Sequence, residues 1–156
     1  MCGILGLLDN KFLDKKVFSN MLNALNHRGP DNTGIWRDKS NGFLIGHKRL
    51  SIQDLSSNGN QPMISDSARY VISFNGEIYN HLLLRKEIES ISNIKWKGSS
   101  DTETILKIIE TFGINIAINK LKGMFAFCLY DNINKEVYLV RDRFGEKPLY
   151  YGISEN

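Results

Sequence analysis

Residues 1–8 read Met-Cys-Gly-Ile-Leu-Gly-Leu-Leu, and the predicted fold is built outward from this stretch. Residues 3–8 form a short, continuous apolar run, which is typical of a buried strand. Cys2 comes directly before that strand, at the position that becomes the N-terminus once Met1 is removed. We therefore predict a rigid strand that holds an N-terminal cysteine at its end.

A matured Cys2 would carry a thiol and a free α-amine on one residue, which is a nucleophile together with its own base. An α-amine is much less basic than a lysine amine, so a useful fraction is unprotonated near neutral pH. Because sulfur and nitrogen of one residue are too constrained for a linear hydrogen bond, we expect a bridging water to carry the proton. The alternative is a small apolar residue that leads into a strand, and for Cys2 taken alone that is the commoner case.

The composition is that of one globular domain. The chain has 156 residues, of which 42% are hydrophobic and 24% are charged, and this length can bury a sizeable core. The net charge is only +3 and the basic residues are scattered, which disfavours nucleic acid or an anionic membrane as a partner. Since no apolar run approaches the ~18 residues needed to cross a bilayer and no signal peptide precedes Cys2, we expect a cytoplasmic protein.

Cysteine and histidine patterns give no sign of a metal site. Cys2 and Cys128 form neither a disulfide framework nor a CxxC pair, and the three histidines are widely spaced. We expect neither a metal nor an organic cofactor for this domain. Cys128 lies in an apolar run and is predicted to be a buried core thiol.

The other segments alternate between strands and helices. Predicted helices cover 14–26, 81–91, 101–112 and 114–121, and predicted strands cover 34–37, 43–47, 70–74, 124–130, 136–140 and 149–152. The residues expected to face inward from the first two helices are Val17, Met21, Leu22, Leu25, Leu84, Ile88 and Ile91. The expected end signals are Asp14 and Asn80 as caps, a hairpin turn at Asn41-Gly42, and a capping box of Ser100 with Glu103. Residues 53–68 are expected to form an irregular surface loop, and the element order predicts an α+β fold.

Four segments place charged or amide groups near strand or helix ends, where sites usually form. They are residues 27–31, 46–52, 74–80 and 99–103. The first could equally be a helix end with a basic last turn. In the second, Arg49 leaves a strand and could bind a carboxylate with two parallel hydrogen bonds, or it could be a solvated edge charge.

Asn75-Gly76 and Asp101 also have two readings each. An Asn-Gly pair after a strand is ordinarily a hairpin turn, but its amide and backbone N–H could form an oxyanion hole. Asp101 could complement a helix dipole or bind a substrate ammonium group. Taken together, a thiol with a base, two oxyanion donors, a carboxylate-binding Arg49 and an ammonium-binding Asp101 suit a free α-amino acid with an amide side chain.

These residues also resemble a known family. Seven ordered segments are similar to the N-terminal glutaminase domain of glutamine-hydrolysing asparagine synthetase, a class II glutamine amidotransferase of the N-terminal-nucleophile hydrolase type. The segments are MCGI (1–4), NHRGPD (26–31), GHKRLSI (46–52), FNGEIYN (74–80), SSDTE (99–103), GMFAFCLYD (123–131) and RDRFGEKPLYY (141–151). The resemblance covers essentially the whole chain, and HRGPD and RLSI point to the asparagine synthetase branch.

The resemblance implies a four-layer αββα sandwich of two mainly antiparallel sheets over residues 1–156. It implies that Cys2 is the nucleophile, and that the Asn75 side chain and the Gly76 backbone form the oxyanion hole. It further implies that Arg49 holds the α-carboxylate of glutamine and that Asp101, with Glu77, holds the α-ammonium. The main chain of four residues is expected to line the same pocket: Leu50, Ser51, Ile52 and Gln53. The Arg28 segment is expected to support the site.

The same resemblance sets expectations about partners. Family members continue first into the last elements of the glutaminase sandwich and then into an ATP-dependent synthetase domain. We therefore expect this chain to be a fragment that lacks both and whose ammonia serves such a synthetase domain; ATP and Mg²⁺ would belong there. A homodimer is a further possibility that the family raises. Residues 141–148 also resemble relatives that amidate other carboxylates, including sugar acids, which leaves the acceptor open. Two further alternatives are a domain that binds glutamine without turnover and a glutaminase half that is silent without its synthetase partner.

Overall fold

A computed structural model describes residues 1–8 and 14–153 of the chain. The described strands are β1 (Gly3–Leu8), β2 (Asn32–Asp38), β3 (Phe43–Arg49), β4 (Met63–Ile64), β5 (Tyr70–Ile78), β6 (Gly123–Asp131) and β7 (Glu136–Arg141). The described helices are α1 (Lys15–Asn23), α2 (His81–Glu89), α3 (Asp101–Phe112) and α4 (Ile114–Lys120), with short 3₁₀ turns at Asn26–Arg28 and Ser57–Gly59. The predicted domain of residues 1–156 also contains 9–13 and 154–156, which lie outside the described residues.

The strands form two antiparallel sheets. The first sheet has the order β1-β3-β2 and the second has the order β4-β5-β6-β7. β3 is buried on both faces. Since successive side chains of a strand point to opposite faces, Leu44 packs towards α1, while Phe43 and Ile45 pack towards the second sheet. A third apolar cluster fills the space between the second sheet and α2, α3 and α4. The layers are therefore helix, sheet, sheet and helices, which confirms the predicted α+β, αββα architecture.

The helix faces differ in part from the prediction. Asp14 caps α1 as expected, with its carboxylate accepting the N–H of Lys16 at 2.7 Å. The buried residues of α1 are Phe18 and Leu22, whereas Val17 and Met21 are exposed. The helix ends at Asn23 instead of residue 26, and it packs against Leu44 of β3 through Phe18 and Leu22. Ile91 lies beyond the end of α2 and is also exposed.

Ser100 caps α3 as predicted, but the Asn80 cap and the Glu103 half of the capping box are wrong. Asn80 makes no side-chain cap to α2; its side chain instead bonds the carbonyl of Lys120 and the N–H of Lys122. Ser100 accepts the N–H of Thr102 at 3.1 Å, but Glu103 turns away from it to accept the N–H groups of residues 97 and 98. The side chains of Asn80 and Glu103 therefore join neighbouring segments instead of capping helices.

The strand predictions need three corrections. Residues 149–152 form no strand. A short strand, β4, lies within the predicted loop of residues 53–68 and pairs with β5. Asn75-Gly76 is not a hairpin turn, because β5 continues through both residues and pairs with β6 as far as Ile78. Asn41-Gly42 does lie in the turn between β2 and β3, where Gly42 has a φ of 60°.

Candidate active site

A pocket lies where β1 begins, β3 ends and β5 passes the N-terminus of α3. It is lined by Met1, Cys2, Arg49, Leu50, Ile52, Gln53, Asp54, Gly59, Gln61, Phe74, Asn75, Gly76, Glu77, Ser100, Asp101, Thr102, Met124 and Lys147. All predicted site residues line this pocket except Ser51, whose N–H instead bonds the carboxylate of Asp31 at 2.7 Å. Residues distant in the chain thus meet at one place.

Cys2 is held in the pocket by contacts at both its backbone and its sulfur. Arg28 Nε donates to the carbonyl oxygen of Cys2 at 3.1 Å, so the Arg28 segment contacts the site directly. The N–H of Leu50 points at the Cys2 sulfur at 3.4 Å, and the carbonyl of Leu50 lies 3.7 Å from it. The Leu50 backbone therefore contacts the sulfur with both its N–H and its carbonyl, which holds the side chain in the pocket.

Asn75 and Gly76 present polar groups in the middle of a well-packed strand. Asn75 is only 4% exposed, yet within the described residues its side-chain amide has no hydrogen-bond partner. Because Asn75 lines the pocket, its amide is available to hydrogen-bond a ligand there. A side chain at Gly76 would collide with the carbonyl oxygen of Met124 and with the backbone of Phe125. Glycine is therefore required at this close approach of β5 to β6.

Asp101 brings a carboxylate to the pocket wall from the first turn of α3. Its Oδ2 accepts the N–H of Ile78 at 2.9 Å, which ties α3 to the end of β5. Burial raises the pKa of Asp101 to about 6, and the charge of Glu77 adds to that rise, while hydrogen bonds from the backbone oppose it. A cationic ligand would stabilise the charged form of such a carboxylate.

Arg49 is buried at the end of β3 and is largely engaged by the following loop. Its Nη1 donates to the carbonyl of Ser56 at 2.9 Å and to Asn60 Oδ1 at 2.8 Å, and its Nη2 donates to the carbonyl of Asp54. A guanidinium has five N–H donors, so within the described residues one on Nε and one on Nη2 are left. Those neighbouring donors are suited to a carboxylate. Gly59 is required here, since any side chain on it would collide with the Arg49 guanidinium.

Several pocket residues were not predicted from the sequence. Gln61 bridges β5 and α3, because its Oε1 accepts the N–H of Phe74 at 2.7 Å and its Nε2 donates to Thr102 at 3.1 Å. Asp54 accepts the N–H of Ser99 at 2.9 Å. Gln61 and Asp54 lie in a polar stretch with no periodic pattern that could have indicated them. Lys147 lies inside the segment of residues 141–151 that carries part of the family resemblance. Its charge next to Pro148 was the feature of the sequence that could have indicated it.

The described residues contain neither a cluster suited to a metal ion nor a helix suited to a membrane. No group of three or more His, Cys, Asp or Glu side chains is placed to hold a metal ion in residues 1–8 and 14–153. No helix in the same ranges has the length and apolar character needed to span a membrane.

The pocket therefore combines a thiol, an unpaired amide beside a glycine N–H, a carboxylate and a partly free guanidinium. In a comparison with known protein families, the whole chain, residues 1–156, matches the family described as "Glutamine amidotransferase domain". The chain belongs to that family. This amidotransferase domain is 39% identical over 97% of its length to asparagine synthetase [glutamine-hydrolyzing] 1 of Bacillus subtilis, and 39% identical over 100% of its length to asparagine synthetase B [glutamine-hydrolyzing] of Escherichia coli.

The amidotransferase domain spans 24% and 28% of the length of those two relatives. Its fold is similar to that of glutamine phosphoribosylpyrophosphate amidotransferase from Bacillus subtilis, solved with ADP and GMP. The TM-score is 0.64 at 22% identity, covering 83% of this chain and 34% of that one. This likeness concerns the fold, and it agrees with the predicted αββα sandwich.

Proposed function

We propose that this domain hydrolyses the side-chain amide of L-glutamine to glutamate and ammonia through a thioester on Cys2. The observation that carries the proposal is the meeting of Cys2 with the unpaired Asn75 amide and the Gly76 backbone in one pocket. A nucleophile next to two unused donors is what acyl transfer requires. The membership of the glutamine amidotransferase family supports the same conclusion.

In the proposed mechanism, removal of Met1 frees the α-amine of Cys2. The amine accepts the thiol proton through a water molecule, and the sulfur attacks the amide carbon of glutamine. The Asn75 side chain and the Gly76 N–H stabilise the oxyanion, each contributing about 3 kcal/mol. The protonated amine returns its proton to the departing ammonia, which leaves a γ-glutamyl thioester. A water molecule then cleaves the thioester, releasing glutamate and restoring the thiol.

The backbone end of glutamine would be held by two charged anchors. Asp101, with Glu77 nearby, would bind the α-ammonium, and the free Nε and Nη2 donors of Arg49 would bind the α-carboxylate. The Arg49 contacts with the loop of residues 54–60 support this role, because they hold the guanidinium in place before substrate binds. The main chain of residues 50, 52 and 53 would complete the pocket wall.

We further propose that the ammonia serves an ATP-dependent asparagine synthetase domain outside these residues. The amidotransferase half-reaction as written needs no metal or organic cofactor, and ATP with Mg²⁺ would belong to the synthetase domain. An acceptor carboxylate other than aspartate, such as a sugar acid, is the alternative. A homodimer and a cytoplasmic location stay predictions.

The test uses the natural polypeptide, with Cys2→Ala and Cys128→Ala as a matched pair of thiol deletions. We expect the intact mass to show loss of Met1 and a single adduct with 6-diazo-5-oxo-L-norleucine, an electrophilic glutamine analogue. Cys2→Ala should lower ammonia release from glutamine by about a thousandfold or more, whereas Cys128→Ala should leave it unchanged.

Three outcomes would overturn the proposal. The first is an active protein that retains Met1, since its α-amine would not be on Cys2. The second is unchanged ammonia release from Cys2→Ala. The third is calorimetric binding of glutamine to the Met1-free protein without any ammonia release, which would indicate a binding domain.

A further inference from the structure

Lys147 places a buried positive charge in the pocket, and the mechanism above does not use it. Its side chain is 8% exposed and lines the pocket with Cys2. Its ammonium group contacts the sulfur of Met1 at 3.3 Å. A thioether is a weak acceptor, and no ion pair in the described part of the chain includes Lys147. The partner that it has belongs to the residue that maturation removes.

The backbone of Lys147 is fixed, so this placement is built into the fold. Asp142 accepts the N–H groups of Phe125, Phe144, Glu146 and Lys147 at 3.0–3.1 Å. Burial alone would raise the pKa of Asp142, but these backbone bonds outweigh it and hold the pKa at about 2. Arg141 Nε donates to the carbonyl of Lys147 at 2.8 Å. The loop thus fixes the backbone from which the Lys147 side chain enters the pocket.

Lys48 is a second buried lysine, and its hydrogen bonds are those expected of a structural role. Lys48 is 4% exposed, and its ammonium donates to Asn23 at 3.0 Å, Asn26 at 3.3 Å and Thr33 at 2.8 Å. Burying a charge is costly unless it is paired and hydrogen-bonded. Lys48 meets that requirement with three oxygens, while Lys147 has a single sulfur. A purely structural role therefore does not account for Lys147.

We infer that Lys147 is a positioning residue that holds Cys2 in its reactive protonation state; this inference rests on the proposed function. Once Met1 is removed, its ammonium faces the vacated end of the pocket, beside the new N-terminus. A nearby positive charge favours the thiolate over the thiol and the neutral amine over its protonated form. Both shifts favour the first step, in which the sulfur attacks and the amine accepts a proton.

The other charged groups at the pocket are either already engaged by polar groups of the protein or negative. Arg49 Nη2 donates to the backbone carbonyl of Asp54. Hydrogen bonds from Ser56, with a smaller contribution from the Arg49 charge, lower the pKa of the Asp54 carboxyl despite its burial. Glu77 and Asp101 are negative and would oppose a thiolate until a substrate ammonium neutralises them. Arg28 contacts the carbonyl oxygen of Cys2. Among the described residues that line the pocket, Lys147 is the only lysine.

The test measures how fast iodoacetamide alkylates Cys2 as a function of pH, in Met1-free protein verified by intact mass. Cys128 does not interfere, because burial raises its pKa to about 12. We expect Lys147→Met to slow alkylation near neutral pH by about tenfold and to move the half-maximal rate to higher pH. Lys147→Arg should stay close to the wild type. Lys122→Met removes an exposed lysine near β6 and should change nothing.

Steady-state kinetics provide the second readout. We expect Lys147→Met to lower kcat for glutamine and to leave KM unchanged, because the substrate anchors are intact. An unchanged alkylation profile in Lys147→Met, or a raised KM with a normal kcat, would overturn the inference, the latter by making Lys147 a substrate anchor. If Lys147→Met fails to fold, Lys147→Gln carries the same comparison. Since alkylation needs no turnover, a protein that does not hydrolyse glutamine would refute the proposed function without deciding the role of Lys147.

Discussion

Two buried carboxylates at opposite ends of the strands show how this molecule separates stability from function. Asp38 lies at the end of β2 remote from the pocket and is 8% exposed, while Asp101 lies in the pocket and is 5% exposed. Asp38 accepts bonds from Ser40 at 2.6 Å, Tyr130 at 2.7 Å and Lys135 at 2.9 Å. Asp101 accepts the N–H of Ile78 and faces the Glu77 charge instead of a cation.

The pKa values of the two groups move in opposite directions. Burial raises the pKa of Asp38, but bonds from Ser40, Tyr130 and Lys135 outweigh it and hold the pKa well below its usual range. For Asp101 burial dominates and the pKa rises to about 6. Burial by itself therefore does not distinguish a site from a structural cluster. In this pair the difference is a cationic partner: Asp38 has the Lys135 ammonium, and Asp101 has no cation among the described residues.

The largest expected effect comes from replacing one asparagine in the pocket and one near Asp38 by alanine. Asn75→Ala removes an unpaired pocket amide and should lower kcat for glutamine by about 10²–10³-fold, as loss of one oxyanion donor does. Asn41→Ala removes an amide that donates to the Tyr130 hydroxyl at 3.2 Å near Asp38. It should leave kcat unchanged and lower the free energy of unfolding by about 1 kcal/mol. A kcat for Asn75→Ala within threefold of the wild type would remove Asn75 from the oxyanion hole.

The raised pKa of Asp101 should also set how the free energy of unfolding changes with pH. Since the folded pKa of Asp101 is raised, the folded state holds this proton more tightly than the unfolded state. Stability therefore falls as pH rises from about 4 to about 6 and stays lower above that window. Asp101→Asn should raise the free energy of unfolding at pH 7 by up to about 3 kcal/mol and weaken glutamine binding.

Asp38→Asn should have the opposite effect, lowering the free energy of unfolding at pH 7 by about 1–3 kcal/mol because Lys135 and Tyr130 lose a charged acceptor. Denaturant unfolding at pH 7 compares both variants with the wild type. A destabilised Asp101→Asn would mean that the pocket carboxylate is satisfied in the fold, and the contrast between the two ends would be lost.

Most elements could be predicted from the sequence, because their signals are local. The apolar run of residues 3–8, the periodic pattern of residues 101–112 and the cap at Asp14 each depend on neighbours in the chain. The polar residues at strand ends were likewise visible one by one. That they meet in one pocket came from the resemblance to a family, since no local pattern indicates which strand ends are neighbours.

The failed predictions share a different cause, which is competition from partners distant in the chain. Asn75-Gly76 has the local preference of a turn, but pairing with β6 along nine residues of β5 keeps it extended. Asn80 could cap α2, but the carbonyl of Lys120 and the N–H of Lys122 use its side chain instead. Lys147 was read only as part of a segment, because its lack of an oxygen partner is visible only in three dimensions.

A smaller effect should follow from pH, and calorimetry on Cys2→Ala isolates it from the chemistry of the nucleophile. If ionised Asp101 binds the ammonium of glutamine, affinity should fall about tenfold between pH 7 and pH 5, since the pKa of Asp101 is about 6. Adding Asp101→Asn should make binding weak and independent of pH, whereas adding Glu77→Gln should preserve the dependence. A flat profile in Cys2→Ala alone would assign the ammonium to another group.

The smallest expected effect compares the two thiols. Cys128 lies between the sheets at 4% exposure, and burial raises its pKa to about 12, so it should not react at pH 8 in the folded protein. Iodoacetamide should add one equivalent to native protein and a second only after unfolding. Cys128→Ala should keep the single native equivalent and lower the free energy of unfolding by about 1 kcal/mol, because it removes little more than one buried atom. Two equivalents in native protein would mean that the space between the sheets opens to the reagent. Cys128 and Cys2 would then differ only in how fast they are alkylated.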